Sequence, residues 1–255
     1  MSKNISVIKI GGSTLGASDS TYKDILNLFR KGWKIVIIHG GGKEISKWIN
    51  KQGIEPQFVD GLRVTDEKTL EVAIAVLSGK INSEIVTEFQ NLGINAVGIS
   101  GSSGIIEAKI KNDKLGFVGE ITNCNVNLLN NLMDNGFLPV ISPLAIATDL
   151  KNQIYNINAD TAAGFIAKSL KADNIIFQTD VPGVFDSSRR VIPQMTKNQA
   201  LELIDTGIVH GGMIPKIRAC INALESVNSG RIIDGRNSGA LLRAFTNGNI
   251  GTRIV

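Results

Sequence analysis

Short runs rich in Ile and Val alternate along this chain with segments whose apolar residues recur every three or four positions, and that alternation constrains the fold more than any other feature. Residues 6–10, 34–39, 96–100, 138–142, 174–179 and 231–233 read as strands. Several are almost continuous in Ile and Val, as parallel strands covered on both faces must be. Between them, Ile25/Leu28/Phe29, Ala162/Ala163/Ile166/Ala167/Leu170 and Ile217/Cys220/Ile221/Leu224/Val227 each fall on one side of a helix. Such β–α alternation predicts an α/β sandwich with a mainly parallel central sheet. Two stretches depart from it: residues 54–64 and 105–121 read as hairpins, the second turning at Asn112-Asp113. Residues 146–158 read as a waist between two lobes of a single domain spanning 1–255.

Glycines gather where these strands end. KIGGS (9–13), HGGGK (39–43), ISGSSG (99–104) and TDVPGV (179–184) each follow a predicted strand. In open α/β sheets ligands bind beyond the carboxyl ends of the strands. Glycine lets backbone N–H groups approach a ligand and converge on one point, forming a nest for an anion. A single such loop often serves turn geometry alone; four in one sheet point to an anionic ligand. HGGGK fits neither phosphate template: a Walker A loop needs glycine at Ile37 and Ser or Thr at Glu44, and a dinucleotide fingerprint needs glycine at Ile45.

Charged and polar residues sharpen the expectation. Lys9 interrupts an apolar strand just before Gly11 and Gly12, where burial demands an opposite charge unless the strand lies at an edge and the ammonium reaches water. Lys216 falls in the first turn of a helix beginning near Pro215, a position the helix dipole mildly disfavours for a cation. In NINADTAAG (156–164), Asn156 and Asn158 precede Asp160 at the start of an apolar-striped helix. Asn158 or Thr161 suffices as the cap, so capping does not account for all of these polar residues. Arg63, in GLRVTD (61–66), follows a turn glycine and precedes a helix expected to be capped by Thr65; its guanidinium could fork a carboxylate or lie exposed in a loop.

Several classes of function are disfavoured. With 27 basic against 23 acidic residues, a net charge of +4 and no basic cluster, nucleic-acid binding is not expected. Cys124 and Cys220 match no metal spacing and read as buried thiols of a reducing cytosol. The amino terminus offers too few apolar residues for a signal peptide, and no apolar run approaches the ~18 residues of a membrane span. A cytoplasmic location is the expectation.

Taken in order, KIGGS, HGGGK, GLRVTD, NINAD, TDVPGV and GGMIPK resemble the amino acid kinase family, from Lys9 to the closing FTNGNIGTRIV. KIGG is shared widely in that superfamily; HGGG with GLRVT and NINAD is similar to those members that phosphorylate the side-chain carboxylate of N-acetylglutamate in arginine biosynthesis. The resemblance implies an open αβα sandwich with an amino-acid-binding lobe (1–155) and a nucleotide-binding lobe (156–255). It implies that Lys9 and Lys216 stabilise the transition state and that Asp160 orients both. It also implies that Gly41, Gly42, Arg63 and Asn156 hold the acceptor, that Gly11 and Gly12 touch the transferred phosphoryl group, and that Asp180 with Gly183, Val184 and Phe185 lines the ATP pocket. Magnesium would arrive on the nucleotide, with no metal held by the protein. Ser102-Ser103 and Ser238-Gly239 depart from the family pattern, and no role carries over to them. The first strand lacks the helical extension that accompanies arginine-inhibited hexamers, which implies a homodimer without arginine feedback. The resemblance leaves two alternatives: a kinase for carrier-protein-bound aminoadipate or glutamate, and a non-catalytic amino-acid-binding homologue.

Overall fold

The structure, a computed structural model, describes residues 4–11, 19–246 and 248–255. The chain runs β1 (Ile5–Ile10), α1 (Asp19–Arg30), β2 (Lys34–His39), α2 (Gly42–Lys51), β3 (Phe58–Val59), β4 (Leu62–Arg63), α3 (Glu67–Ile74), a π-helical turn (Ala75–Ile81) and α4 (Asn82–Asn91). It continues through β5 (Ala96–Ser100), β6 (Ile106–Ile110), β7 (Gly119–Cys124), α5 (Val126–Asp134), β8 (Leu138–Ser142), β9 (Leu144–Ala147) and β10 (Ile154–Asn156). It ends with α6 (Ala159–Leu170), β11 (Asn174–Thr179), β12 (Gln194–Met195), α7 (Lys197–Asp205), α8 (Met213–Ala223), β13 (Gly230–Asp234), α9 (Ala240–Phe245) and β14 (Thr252–Ile254). The bounds of β2, β5, β8 and β11 are those expected from the sequence, and the fold is α/β with a mainly parallel sheet.

Two compact units divide the chain, one made of Met1–Ile35 with Ala163–Val255 and the other of Val36–Ala162. The first draws on both chain ends and is called here the split unit; the second is the continuous unit. In the split unit the strand order is β12-β14-β13-β11-β1. The pairs β1/β11, β11/β13 and β12/β14 are parallel, and β13/β14 is antiparallel. The Ile and Val runs explain the order, since Val7, Ile8, Ile175, Ile232 and Ile233 are all buried. α8 packs on β11 and β13, and α9 packs on β13. Polar ties join the two chain ends. Asp173 Oδ2 accepts from Ile5 N at 2.9 Å, and Thr21 Oγ1 donates to Gly235 O at 3.3 Å. α9 has no side-chain cap of its own, because its N-cap is Gly239; Asp24 of α1 reaches Leu242 N at 3.4 Å instead.

The continuous unit contains the parallel strands β2-β8-β5, a separate sheet β10-β9-β6-β7 and the two-stranded ribbon β3-β4. α4 packs on β5 and β8, and α5 on β8. The hairpin expected within 54–64 is β3–β4, turning through Asp60 and Gly61 with φ of 50° and 77°. Two successive positive φ angles are what a type I′ turn requires. The hairpin expected at 105–121 is the antiparallel pair β6/β7, and Asn112 Oδ1 accepts from Lys114 N at 2.9 Å where the chain turns. Residues 146–158, read from the sequence as a waist, contribute to β9 and β10 of this unit. One expectation is corrected: α3 is capped by Asp66, whose Oδ1 accepts from Thr69 N at 2.8 Å, and not by Thr65. Thr65 is fully buried, and its hydroxyl faces inward to other partners. Both cysteines are free and buried, and among the described residues no helix is long and apolar enough to cross a membrane.

Candidate active site

In the continuous unit, β2 delivers the glycine loop. The strand KIVIIH is buried along most of its length and ends at His39; Gly40 and Gly41 follow, and α2 starts at Gly42. Gly41 is the helix N-cap and carries no side chain to satisfy the N–H groups of the first turn. A Cβ at Gly41 would sit 2.6 Å from Leu77 Cδ2 and 2.7 Å from Ile81 Cδ1. Both residues belong to the π-helical turn, so that turn presses the glycine loop from behind.

Arg63 closes the other side of this loop. It stands at the end of β4, paired with Phe58 of β3, and its guanidinium lies over the Phe58 ring at 4.8 Å. Nη2 donates to Gly42 O and to Ser46 Oγ, each at 2.8 Å. Nη1 is buried and has no partner. Arg63 is only 8% exposed, and burial pulls its pKa below the ordinary arginine value. A cavity of about 650 Å³ opens beside it, lined among others by Gly42, Lys43, Ser46, Lys47 and Phe58. A buried cation with an unpartnered nitrogen, two lysines and a helix N-terminus are features suited to an anion.

Asn156 reaches the same neighbourhood from β10. Its Nδ2 donates to Thr65 Oγ1 at 3.1 Å, and Thr65 Oγ1 donates to Arg63 O at 3.0 Å. The sequence separates Asn156 from Thr65 by 91 positions, so no local pattern could have shown the link. Asp160 occupies the first turn of α6 and is 5% exposed. Asn158 caps that helix, its Oδ1 accepting from Asp160 N and Thr161 N, each at 3.0 Å. The carboxylate of Asp160 is therefore not the cap.

The split unit carries the remaining expected residues. Lys9 is 6% exposed within β1, in register with Phe177, so its side chain is not held out in water as the edge-strand alternative requires. Gly11 is buried directly after β1, while Gly12 lies outside the described residues. Asp180 follows β11 and is exposed. Gly183 and Val184 are buried in the turn after it, where Val184 N donates to Thr252 Oγ1 at 2.8 Å; Phe185 is 36% exposed. Lys216 lies in the first turn of α8, its Nζ donating to Gly212 O at 3.1 Å.

The sequence reading missed one charged pair at the carboxyl end of β13. Arg236 forks Asp234, with Nε to Oδ1 at 2.9 Å and Nη2 to Oδ2 at 2.8 Å. That fork holds the Asp234 carboxyl below the usual carboxylate range and raises the Arg236 pKa, to which the Asp180 charge adds a smaller push. The signal was available, because IIDGR ends a predicted strand as the other turns do, but only one glycine marks it. Among the described residues no group of three or more His, Cys, Asp or Glu side chains is placed to hold a metal ion.

Comparison with known proteins identifies the family. Residues 4–234 match the model of the amino acid kinase family. The chain is 46% identical to the acetylglutamate kinase of Caldanaerobacter subterraneus subsp. tengcongensis, covering 97% of this chain and 86% of that protein. It is 42% identical to that of Dehalococcoides mccartyi, covering 100% and 96%. Among solved structures, smu.665 from Streptococcus mutans superposes with a TM-score of 0.89 at 28% identity over 99% of both chains. An isopentenyl phosphate kinase shares the fold at a TM-score of 0.70 and 20% identity, covering 98% of this chain and 100% of its own. With the strand-end glycine loops, the buried lysine of β1 and a family match that spans most of its length, this chain belongs to the amino acid kinase family.

Proposed function

We propose that the chain transfers the γ-phosphoryl group of ATP to the side-chain carboxylate of N-acetyl-L-glutamate, giving the acyl phosphate of arginine biosynthesis. The acetylglutamate kinases that it resembles at 42% and 46% identity support the substrate. The observation that carries the reading is Arg63, a buried guanidinium with an unpartnered Nη1 beside an uncapped helix N-terminus. That combination suits an acceptor with two carboxylates.

The nucleophile in this reaction is a carboxylate with a pKa of roughly 4.3, ionised at neutral pH, so no general base is needed. The obstacle is electrostatic, since an anion must approach a polyanionic triphosphate. Phosphoryl transfer is managed mainly by positioning and charge stabilisation. In this reading Gly41 and Gly42 offer N–H groups to the acceptor, while Arg63 and Asn156 hold its other end. Lys9 and Lys216 offset the charge on the migrating group, Asp160 steadies the lysines, and Gly11 and Gly12 bracket the phosphoryl oxygens. Asp180 and Gly183 to Phe185 line the nucleotide pocket. Magnesium would supply charge neutralisation as part of the nucleotide.

Hydroxylamine trapping tests the assignment. With MgATP, N-acetylglutamate should give hydroxamate far faster than glutamate or aspartate. Equal rates with all three, or none with any, would overturn it.

A further inference from the structure

His39 is one of only two histidines in the chain and is fully buried at the end of β2, yet the chemistry above gives it no proton to move. Its two ring nitrogens have different neighbours. Nδ1 lies 3.1 Å from Gly40 O, and Nε2 lies 3.1 Å from Asn82 Nδ2. The same Asn82 Nδ2 lies 3.0 Å from Val140 O, a carbonyl that can only accept. The nitrogen of the Asn82 amide is thereby identified, and its second hydrogen points at Nε2. Nε2 must then accept, so the ring is neutral and its proton sits on Nδ1. That proton is donated to Gly40 O.

The consequence falls on the glycine loop. Described peptide bonds are all trans, so the C=O of Gly40 and the N–H of Gly41 point in opposite directions across one planar unit. With the carbonyl drawn to the buried imidazole, the Gly41 N–H is turned away from the core. Three consecutive glycines have little intrinsic preference of their own, so without this anchor the Gly40–Gly41 peptide could rotate. We infer that His39 is a positioning residue: held by Asn82 as the Nδ1-protonated ring, it fixes the Gly40 carbonyl and so aims the Gly41 N–H at the acceptor carboxylate. The pair brings no charge into the core, and Asn82 stands at the junction where the π-helical turn passes into α4. This inference rests on the assignment of the acceptor to the glycine loop.

Three variants and one spectrum test it. His39→Leu keeps an apolar side chain of similar bulk but removes the donor. His39→Asn can place an amide hydrogen near the old Nδ1 position. Asn82→Ala leaves the imidazole but frees its tautomer. With the full-length enzyme, His39→Leu is expected to lower kcat/KM for N-acetylglutamate on the order of 10²-fold, the scale of a misplaced reacting group. The KM for MgATP should stay near the parent value. His39→Asn should recover most of the loss, and Asn82→Ala should lower the acceptor kcat/KM by a smaller factor. Long-range proton–nitrogen NMR of the parent protein, simplified by having only two histidines, should find His39 protonated on Nδ1 and bare on Nε2. A proton on Nε2, an unchanged acceptor kcat/KM in His39→Leu, or an equal rise in ATP KM would overturn the proposal. If His39→Leu does not fold, Asn82→Ala and the spectrum decide. Arg63→Ala separates the two levels. If it raises the acceptor KM while the His39 and Asn82 variants are silent, only the positioning role falls; if it too is silent, the acceptor assignment falls.

Discussion

Arg63 spends its two terminal nitrogens differently, and that division predicts what its loss should do. Nη2 braces the start of α2 through Gly42 O and Ser46 Oγ, while Nη1 has no protein partner. Arg63→Ala should raise the acceptor KM about 10–100-fold, the worth of a hydrogen bond to a charged group, with ATP KM little changed. Steady-state kinetics with each substrate varied in turn checks this. Arg63→Lys should not restore the parent value, because an ammonium cannot brace the helix and keep a second, separately directed nitrogen at once. In the split unit, Lys216→Ala should lower kcat by roughly 10²–10³, on the scale of losing one preorganised donor. Near-normal turnover would remove it from the mechanism. The roles proposed for these two residues come from the family resemblance, because an arginine after a turn glycine and a cation at a helix start are weak signals by themselves. Thr65 and His39 were not legible in the sequence. Thr65 imitates an N-cap perfectly well on paper, and only the fold reveals that Asp66 caps α3 while the Thr65 hydroxyl serves Arg63 and Asn156. His39 reads as the end of a strand until Asn82 and Gly40 come within reach of its ring.

The helices carry their own consequences. Asp66→Ala should destabilise the protein by about 1 kcal/mol, the usual worth of an N-cap side chain, measurable by denaturant titration. Hydrogen bonding to Thr69 lowers the Asp66 pKa, so this stabilisation is present above the ordinary aspartate value and is lost as pH falls through the lowered one. Asp24 behaves oppositely. Burial raises its pKa despite the backbone donors of α9, so the native state keeps a proton that the unfolded chain has released. Its contribution is present below the ordinary value and declines as pH rises through the raised one; Asp24→Asn should remove that decline from a plot of Tm against pH. In α6, a Cβ at Gly164 would meet Ala219 O of α8 at 2.7 Å, a backbone atom that cannot swing aside. Gly164→Ala should therefore cost about 1–3 kcal/mol by overpacking. The long strands could be read directly because their Ile and Val runs are unbroken. The helical stretch from α3 to α4 could not, since a π-helical turn adds about a residue per turn and slips the apolar stripe out of its 3.6-residue repeat. β9, β10 and β12 are too short for any alternation to register.

The path of the chain through its two units could not have been read from local pattern, because it depends on β1 pairing with β11, whose first matched residues are Ser6 and Asn174. The last strand shows how far this reaches. β14 lies between β12 and β13, and Thr252 is fully buried where it accepts from Val184 N. Deleting residues 251–255 should lower Tm and weaken ATP binding, even though none of these residues is assigned a catalytic role; an unchanged nucleotide Kd would contradict this. Because the split unit takes material from both ends, its assembly has a timetable. On a ribosome adding 5–20 residues per second, β1 emerges roughly ten to thirty seconds before β11 does. During that wait its Ile and Val side chains have no neighbour strand from their own unit, whereas Val36–Ala162 is already complete in one stretch. The continuous unit is thus set to form during synthesis, and the split unit closes only near its end.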